Sequence, residues 1–215
     1  MMTLILGGSG SGKSAFAEDY LLRLAADKQK SYKSEYRKYY IATMQIWDEE
    51  MQAKVDRHHR LRQGKGFTTI EQPVALEKAP ETMRESENTE QPWTQMRHVA
   101  VLLECMSNLV ANEMFSGENN SMENNSMETQ EAGQTVTERV LRGVEALKRQ
   151  ADPFVIVTNN VFEDGIVYDS STFGYIETLG RINERLAAEA DEVIEVVAGI
   201  PQWIKQADAV RYGCD

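Results

Sequence analysis

An apolar run, Thr3 to Leu6, leads into Gly7-Gly8-Ser9-Gly10-Ser11-Gly12-Lys13-Ser14. This satisfies the P-loop pattern G-x-x-x-x-G-K-[ST]. Small residues let the backbone wrap round an anion, and a helix beginning at the lysine turns its free N–H groups and its dipole toward phosphate. Lys13 is then placed for the β- and γ-phosphate oxygens and Ser14 for a hydroxyl contact to Mg²⁺. The plain alternative is a glycine-rich strand-to-helix turn that happens to contain GKS, but strand, loop and helix all fall where phosphate binding needs them. The Mg²⁺ shell calls for a second carboxylate at a neighbouring strand end. Val99 to Leu103 is an apolar run that ends in Glu104, the shape of a Walker-B acid holding the metal directly or through water; otherwise Glu104 is a strand-end carboxylate facing solvent. Val157-Thr158-Asn159-Asn160 supplies neither the lysine nor the aspartate of a guanine-reading N-K-x-D motif, which disfavours a signalling GTPase.

The histidines are His58, His59 and His98. His98 opens a strand and reads as a boundary residue. The adjacent pair lies on a helix that begins near Asp48, where Met51 and Val55 mark an apolar face. At 100° per residue both histidines fall near the edge of that face, so periodicity does not choose between them. An imidazole beside a nucleotide serves as nucleophile or general base, because its free form is largely neutral near pH 7. On residue type alone, a surface or core-edge role is the commoner one.

The elements that must position these groups alternate short apolar runs with longer amphipathic ones, the mark of βα units on a mainly parallel sheet. Expected strands are Thr3 to Leu6, Tyr39 to Thr43, His98 to Glu104, Phe154 to Thr158 and Glu192 to Val197. Expected helices begin near Lys13, Asp48, Ser107, Val136 and Tyr175. In the first of them Phe16, Tyr20 and Leu24 recur at i, i+4 and i+8, giving one face for the sheet. The fold class is α/β, a P-loop NTPase-type sheet flanked by helices. Strand order is not legible. A length of 215 residues suits one domain, 1–215. Between Glu71 and Glu131 the only lysines or arginines are Lys78, Arg84 and Arg97, and Glu118 to Met122 (ENNSM) is repeated at once by Glu123 to Met127. Two polar inserts, about 78–96 and 116–130, are expected to leave the core, since such text buries too little apolar surface to offset its ordering entropy.

The formal charge of −11 opposes nucleic-acid or anionic-lipid binding, so phosphate recognition must be local. Nothing approaches about 18 consecutive apolar residues, so no membrane insertion is expected. Cys105 and Cys214 are the only cysteines, too few for a disulfide framework, and Met1 to Leu6 lacks a signal-peptide pattern, which makes the cytoplasm the expected location.

Longer stretches carry a resemblance. Gly7 to Ser14, Tyr40-Ile41-Ala42-Thr43, Asp48-Glu49-Glu50-Met51, Arg57-His58-His59-Arg60, Phe67-Thr68-Thr69-Ile70-Glu71-Gln72-Pro73, Leu102-Leu103-Glu104-Cys105, Val157-Thr158-Asn159 and Gly180 to Ala187 occur in that order. Together they resemble the bifunctional adenosylcobinamide kinase / adenosylcobinamide-phosphate guanylyltransferase family of cobalamin biosynthesis, from Met1 to about Lys205 with the two inserts skipped. The resemblance implies phosphorylation of the aminopropanol hydroxyl of adenosylcobinamide by ATP or GTP. Transfer of GMP from GTP to that phosphate follows, through a guanylyl-histidine, giving adenosylcobinamide-GDP and pyrophosphate. It places the nucleophile at His58, with His59 in reserve, and brings Glu71 to the guanine pocket as an acceptor for N1 and N2. It also implies a homotrimer. Arg57, Arg60, Arg62 and Lys65 are then candidates to hold the nucleotide or the substrate phosphate, or else they solvate the helix. Arg181 and Asn183 belong to a subunit or a substrate contact. Two departures stand out: Gly10 where the family often has arginine, and Asn160 where it has a glutamate. The missing carboxylate motivates a narrower alternative in which one half-reaction is lost; a non-catalytic P-loop regulatory module is the other.

Overall fold

The computed structural model describes residues 1–45, 52, 60, 62, 64–86, 98–115, 126–161 and 168–206, with the side chains of 126–132 left aside. His58, His59 and Arg57 lie outside the described residues. So do 87–97 and 116–125, the greater part of the two polar inserts.

Seven strands form one sheet: β1 (Met2–Gly7), β2 (Arg37–Ala42), β3 (Phe67–Glu71), β4 (Val99–Glu104), β5 (Phe154–Asn159), β6 (Glu192–Val197) and β7 (Ile200–Lys205), in the order β3-β2-β4-β5-β1-β6-β7. The first six run parallel and β7 returns antiparallel to β6. The helices are α1 (Lys13–Tyr32), α2 (Ala79–Glu85, preceded by a 3₁₀ turn at Leu76–Lys78), α3 (Met106–Phe115), α4 (Ser126–Lys148) and α5 (Ser170–Glu189).

Parallel strands covered on both faces must be apolar on both, and alternate residues divide between two cores. Leu4, Ile41, Val101, Leu103, Phe154 and Ile156 join the core under α3, α4 and α5. Their neighbours Ile5, Tyr40, Ala100, Leu102, Val155 and Val157 join Ala17, Leu21 and Ala25 of α1 on the opposite face. The site is positioned by register. Ala42 pairs with both Glu71 and Glu104, and Gly7 pairs with Asn159, so the C-terminal ends of β3, β2, β4, β5 and β1 line one edge. The chain leaves β1 for β2 on one side of the sheet while β6 lies on the other, the place where open α/β sheets form a ligand crevice.

The five expected strands are present, and helices begin near Lys13 and Ser107 as expected; those expected near Val136 and Tyr175 start earlier, at Ser126 and Ser170. Two strands were missed. Phe67–Glu71 is β3, an edge strand with three exposed residues, and β7 is a second exposed edge. The insert reading also needs correction at its start. Ala79, Pro80 and Met83 of α2 are buried, because an apolar pair four residues apart is enough to dock one helical turn on the core. Ser126 to Gln130 likewise belong to the first turns of α4. Of the helix expected from Asp48, the described residues Gln52, Arg60 and Arg62 are helical.

Candidate functional site

The P-loop is built where β1 meets α1. Gly10 and Gly12 take φ values of 71° and 88°, conformations costly for any residue with a Cβ. Gly7 is excluded from substitution for another reason: a Cβ there would lie 2.6 Å from the Ser11 hydroxyl and from the Val196 carbonyl. The loop is held from outside as well, since the Asn160 amide donates to Gly7 O (3.1 Å) and the Gly199 amide, in the β6–β7 turn, donates to Ser11 O (2.8 Å). Lys13, 7% exposed, donates from Nζ to Gly8 O at 3.1 Å.

Lys13 and Ser14 line a cavity of about 280 Å³ together with Tyr40, Arg62, Glu71, Glu104 and Asn159. Glu104 stands at its base. Burial pushes its carboxyl above the ordinary carboxylate range, outweighing the opposite pull of the neighbouring Ser14 and Tyr40 hydroxyls. Burial also lowers the Lys13 ammonium, outweighing the upward pull of the neighbouring Cys105 and Glu104. Both shifts disfavour the charged forms, as expected for ionisable groups buried away from solvent. Tyr40 is raised chiefly by burial, with the Glu104 carboxylate beside it adding to the shift, and stays a phenol. Arg62 is 7% exposed, with its guanidinium carbon 3.5 Å from the centre of the Tyr40 ring, a close cation–π contact.

A tight internal brace sets the Glu104 strand end. Thr43 Oγ1 accepts from the Cys105 amide at 2.7 Å and donates to the Cys105 carbonyl at 2.8 Å. Asn112 ties the same segment by donating to Thr43 O (2.7 Å) and Pro73 O (2.9 Å). Asn159 donates to Ser107 Oγ at 2.7 Å, joining the ends of β5 and α3.

The fit to Mg²⁺ rests on one orphaned atom. Glu104 Oε2 is buried with no hydrogen-bond partner among the described residues, and Ser14 lines the same cavity. An oxygen donor pair of this kind suits a hard divalent cation that keeps several of its waters.

Comparison with known proteins shows the family. The family model described as cobinamide kinase / cobinamide phosphate guanyltransferase matches residues 3–204. The chain belongs to that family. The bifunctional adenosylcobalamin biosynthesis protein CobU of Escherichia coli (strain K12) is 32% identical over 206 residues, covering 95% of this chain and 100% of that protein. CobU of Salmonella typhimurium is 31% identical over 213 residues, with coverage of 95% and 100%. Among solved structures, the ATPase domain of another protein aligns with a TM-score of 0.46 at 10% identity, over 90% of this chain and 68% of that one.

Within this family member the expected site residues divide. Gly7 to Ser14, Glu71 and Glu104 gather around the strand ends, whereas the His58 and His59 assignments fall outside the described residues. The basic run does not act as one group. Arg62 reaches the cavity, Arg60 is exposed, and Lys65 turns away to Glu18 (2.7 Å) and Asp19 (3.2 Å) of α1. Burial pulls the Lys65 ammonium down, but those two carboxylates outweigh it and its pKa is raised. Lys65 is therefore a tether between the loop before β3 and α1. Asn183, expected at a subunit or substrate contact, accepts from Thr158 Oγ1 at 2.9 Å, and Arg181 pairs with Glu177 one turn away on α5. Both have intramolecular partners. Tyr40 and Thr43 carry no signal of their own in the Y-I-A-T text; strand pairing and the Thr43–Cys105 bonds set them beside Glu104.

Proposed function

We propose that this protein phosphorylates adenosylcobinamide with ATP or GTP and then transfers GMP from GTP to the product, giving adenosylcobinamide-GDP and pyrophosphate. The observation that carries the reading is a single cavity that joins Lys13 and Ser14 of the P-loop to Glu104, Glu71 and Arg62, in a chain of this family. In the first step the corrinoid's aminopropanol oxygen attacks the γ-phosphorus; its proton leaves and a nucleoside diphosphate departs. In the second, an imidazole nitrogen of His58 attacks the α-phosphorus of GTP, a P–N bond forms, and the bond to the leaving pyrophosphate breaks. The corrinoid phosphate then displaces the histidine.

Lys13 and the backbone amides that open α1 hold the phosphate chain, and Arg62 adds a second buried cation. Mg²⁺ at Ser14 and Glu104 would offset charge on the phosphate oxygens. Glu71, on the same wall, accepts from guanine N1 and N2. No helix among the described residues is long and apolar enough to cross a membrane, and we place the enzyme in the cytoplasm as a homotrimer.

The test uses α-labelled GTP and a quench in mild alkali, where a phosphoramidate survives. Label is expected on the parent polypeptide and absent from His58→Ala. Full labelling of both His58→Ala and His59→Ala refutes the nucleophile assignment. Product analysis with adenosylcobinamide and with its phosphate separates the two half-reactions, which matters because Asn160 replaces a carboxylate.

A further inference from the structure

A second and larger cleft, of about 900 Å³, opens on the other side of the P-loop. It shares only Ser9 and Gly10 with the cavity that holds Lys13 and Glu104, so the loop separates two compartments that meet at those two residues. Their chemistry differs. The smaller compartment has two cations, Lys13 and Arg62. Among the described residues the larger has no lysine or arginine in its lining, and its one charged group is the Glu195 carboxylate.

The first turn of α5 adds no anion site to the larger cleft. Asp169 already accepts from the Ser171 and Thr172 amides at 2.9 and 3.0 Å and from both hydroxyls, which occupies the donors a phosphate would use. Tyr175 spends its hydroxyl on Ser107 O at 3.3 Å, so what it offers the cleft is its ring. Tyr168, Ile176 and Val197 extend that apolar wall, with Asn160 and Glu195 as its polar points.

The reaction proposed above brings two reactants to one phosphate. One is a nucleotide, polyanionic and small enough for a cation-lined cavity. The other is a far larger macrocycle fringed with amides, which carries no phosphate when it first binds. A volume near 900 Å³ is already at the upper end for a drug-sized ligand; an open cleft of that size seats the edge of a macrocycle and leaves the rest in solvent. We propose that this cleft is the corrinoid site. The ring edge lies on Tyr168, Tyr175, Ile176 and Val197, amide side chains meet Asn160 and Glu195, and the aminopropanol arm crosses the Ser9–Gly10 shoulder to the phosphate. The assignment rests on the functional reading above.

The test narrows the cleft from opposite walls with Ile176→Trp on α5 and Val197→Trp on β6. Glu195→Gln is a third variant that changes charge without bulk. Adenosylcobinamide binding is followed by equilibrium dialysis, GTP binding by a fluorescent analogue, and self-guanylylation by α-labelled GTP without corrinoid. Corrinoid affinity is expected to fall about tenfold or more in the tryptophan variants, and severalfold in Glu195→Gln, with GTP affinity within about twofold of the parent. Unchanged GTP binding and self-labelling also show that the variants are folded. Full corrinoid affinity in both tryptophan variants overturns the cleft assignment alone. A parallel loss of GTP affinity in folded variants overturns it too, by giving the cleft to the nucleoside. A parent protein that binds GTP but no corrinoid overturns the functional reading, and this assignment with it.

Discussion

Replacing Thr43 with valine keeps nearly the same volume and removes one hydroxyl, so the consequence follows from hydrogen bonds. The Cys105 amide loses its 2.7 Å acceptor and the Cys105 carbonyl loses a 2.8 Å donor. The carbonyl keeps the Leu109 amide at 3.2 Å, so its loss is one ordinary bond, about 1 kcal/mol. The amide is buried and left without a partner, which costs about 1–3 kcal/mol. The sum is about 2–4 kcal/mol, and for a chain of this length it lowers Tm by roughly 10 °C. Glu104 precedes the released peptide directly, so its carboxylate drifts from Ser14, and misplacement by an ångström costs about 10- to 100-fold in kcat/KM. Urea unfolding and guanylyl transfer at saturating Mg²⁺ read the two effects, and Thr43→Ser, which retains the hydroxyl, restores both. A Thr43→Val protein within about 0.5 kcal/mol of the parent and with parental turnover would refute the claim that this brace sets the site.

Glu104→Gln removes a carboxyl that burial holds above its ordinary value of 4.5. The folded-state penalty for its ionised form is absent below that value, grows as pH rises toward the folded-state pKa, and is complete above it. The variant is therefore expected to melt higher than the parent at pH 8, to match it near pH 4, and to lose transfer activity; a lower melting point at pH 8 contradicts the argument. Lys65→Met leaves Glu18, whose side chain is 5% exposed, without its cation. Because Lys65 itself is partly solvated, the cost is about 1–2 kcal/mol in urea unfolding, with GTP affinity unchanged; a large loss of GTP affinity returns Lys65 to the nucleotide. Gly143→Ala tests packing against helix propensity. A Cβ there meets Leu76 Cβ at 2.6 Å and the Glu77 amide at 2.9 Å, so a net destabilisation of about 1–3 kcal/mol is expected from thermal melts even though alanine is the better helix former.

The parts of this molecule legible in its sequence are those decided over a few residues. The loop from Gly7 to Ser14 and the apolar runs that become β1, β4 and β5 depend on local spacing, and they stand where spacing put them. What depends on pairing across the sheet was not legible. Glu71 ends an edge strand whose residues are half exposed, so its text lacks the apolar density of a buried strand. It reaches the site because Ala42 lies beside it on one flank and beside Glu104 on the other. Tyr40 reads as one more core aromatic until that register sets its hydroxyl against Glu104. The basic run shows the same limit. Arg62 and Lys65 are three residues apart and alike in charge. Their fates are decided by Glu18 and Asp19, more than forty residues earlier, which offer Lys65 a partly solvated pair of partners, while the Tyr40 ring takes Arg62.

That division also explains how a chain of net charge −11 holds a polyanion. Net charge acts at a distance and is screened within about 8–10 Å at physiological salt, whereas the site works by contact and burial. Burial works against the charged forms of both Glu104 and Lys13, so each gains from a compensating charge beside it. A phosphate chain beside Lys13 and a divalent cation beside Glu104 would each favour the charged form. Binding should therefore be coupled to proton exchange. GTP and Mg²⁺ are expected to release a proton from Glu104 and to raise the pKa of Lys13, and calorimetry of GTP binding in buffers of different ionisation enthalpy measures the net number. A binding heat independent of buffer at every pH from 5 to 9 would mean no net proton exchange, and the expected coupling would fail.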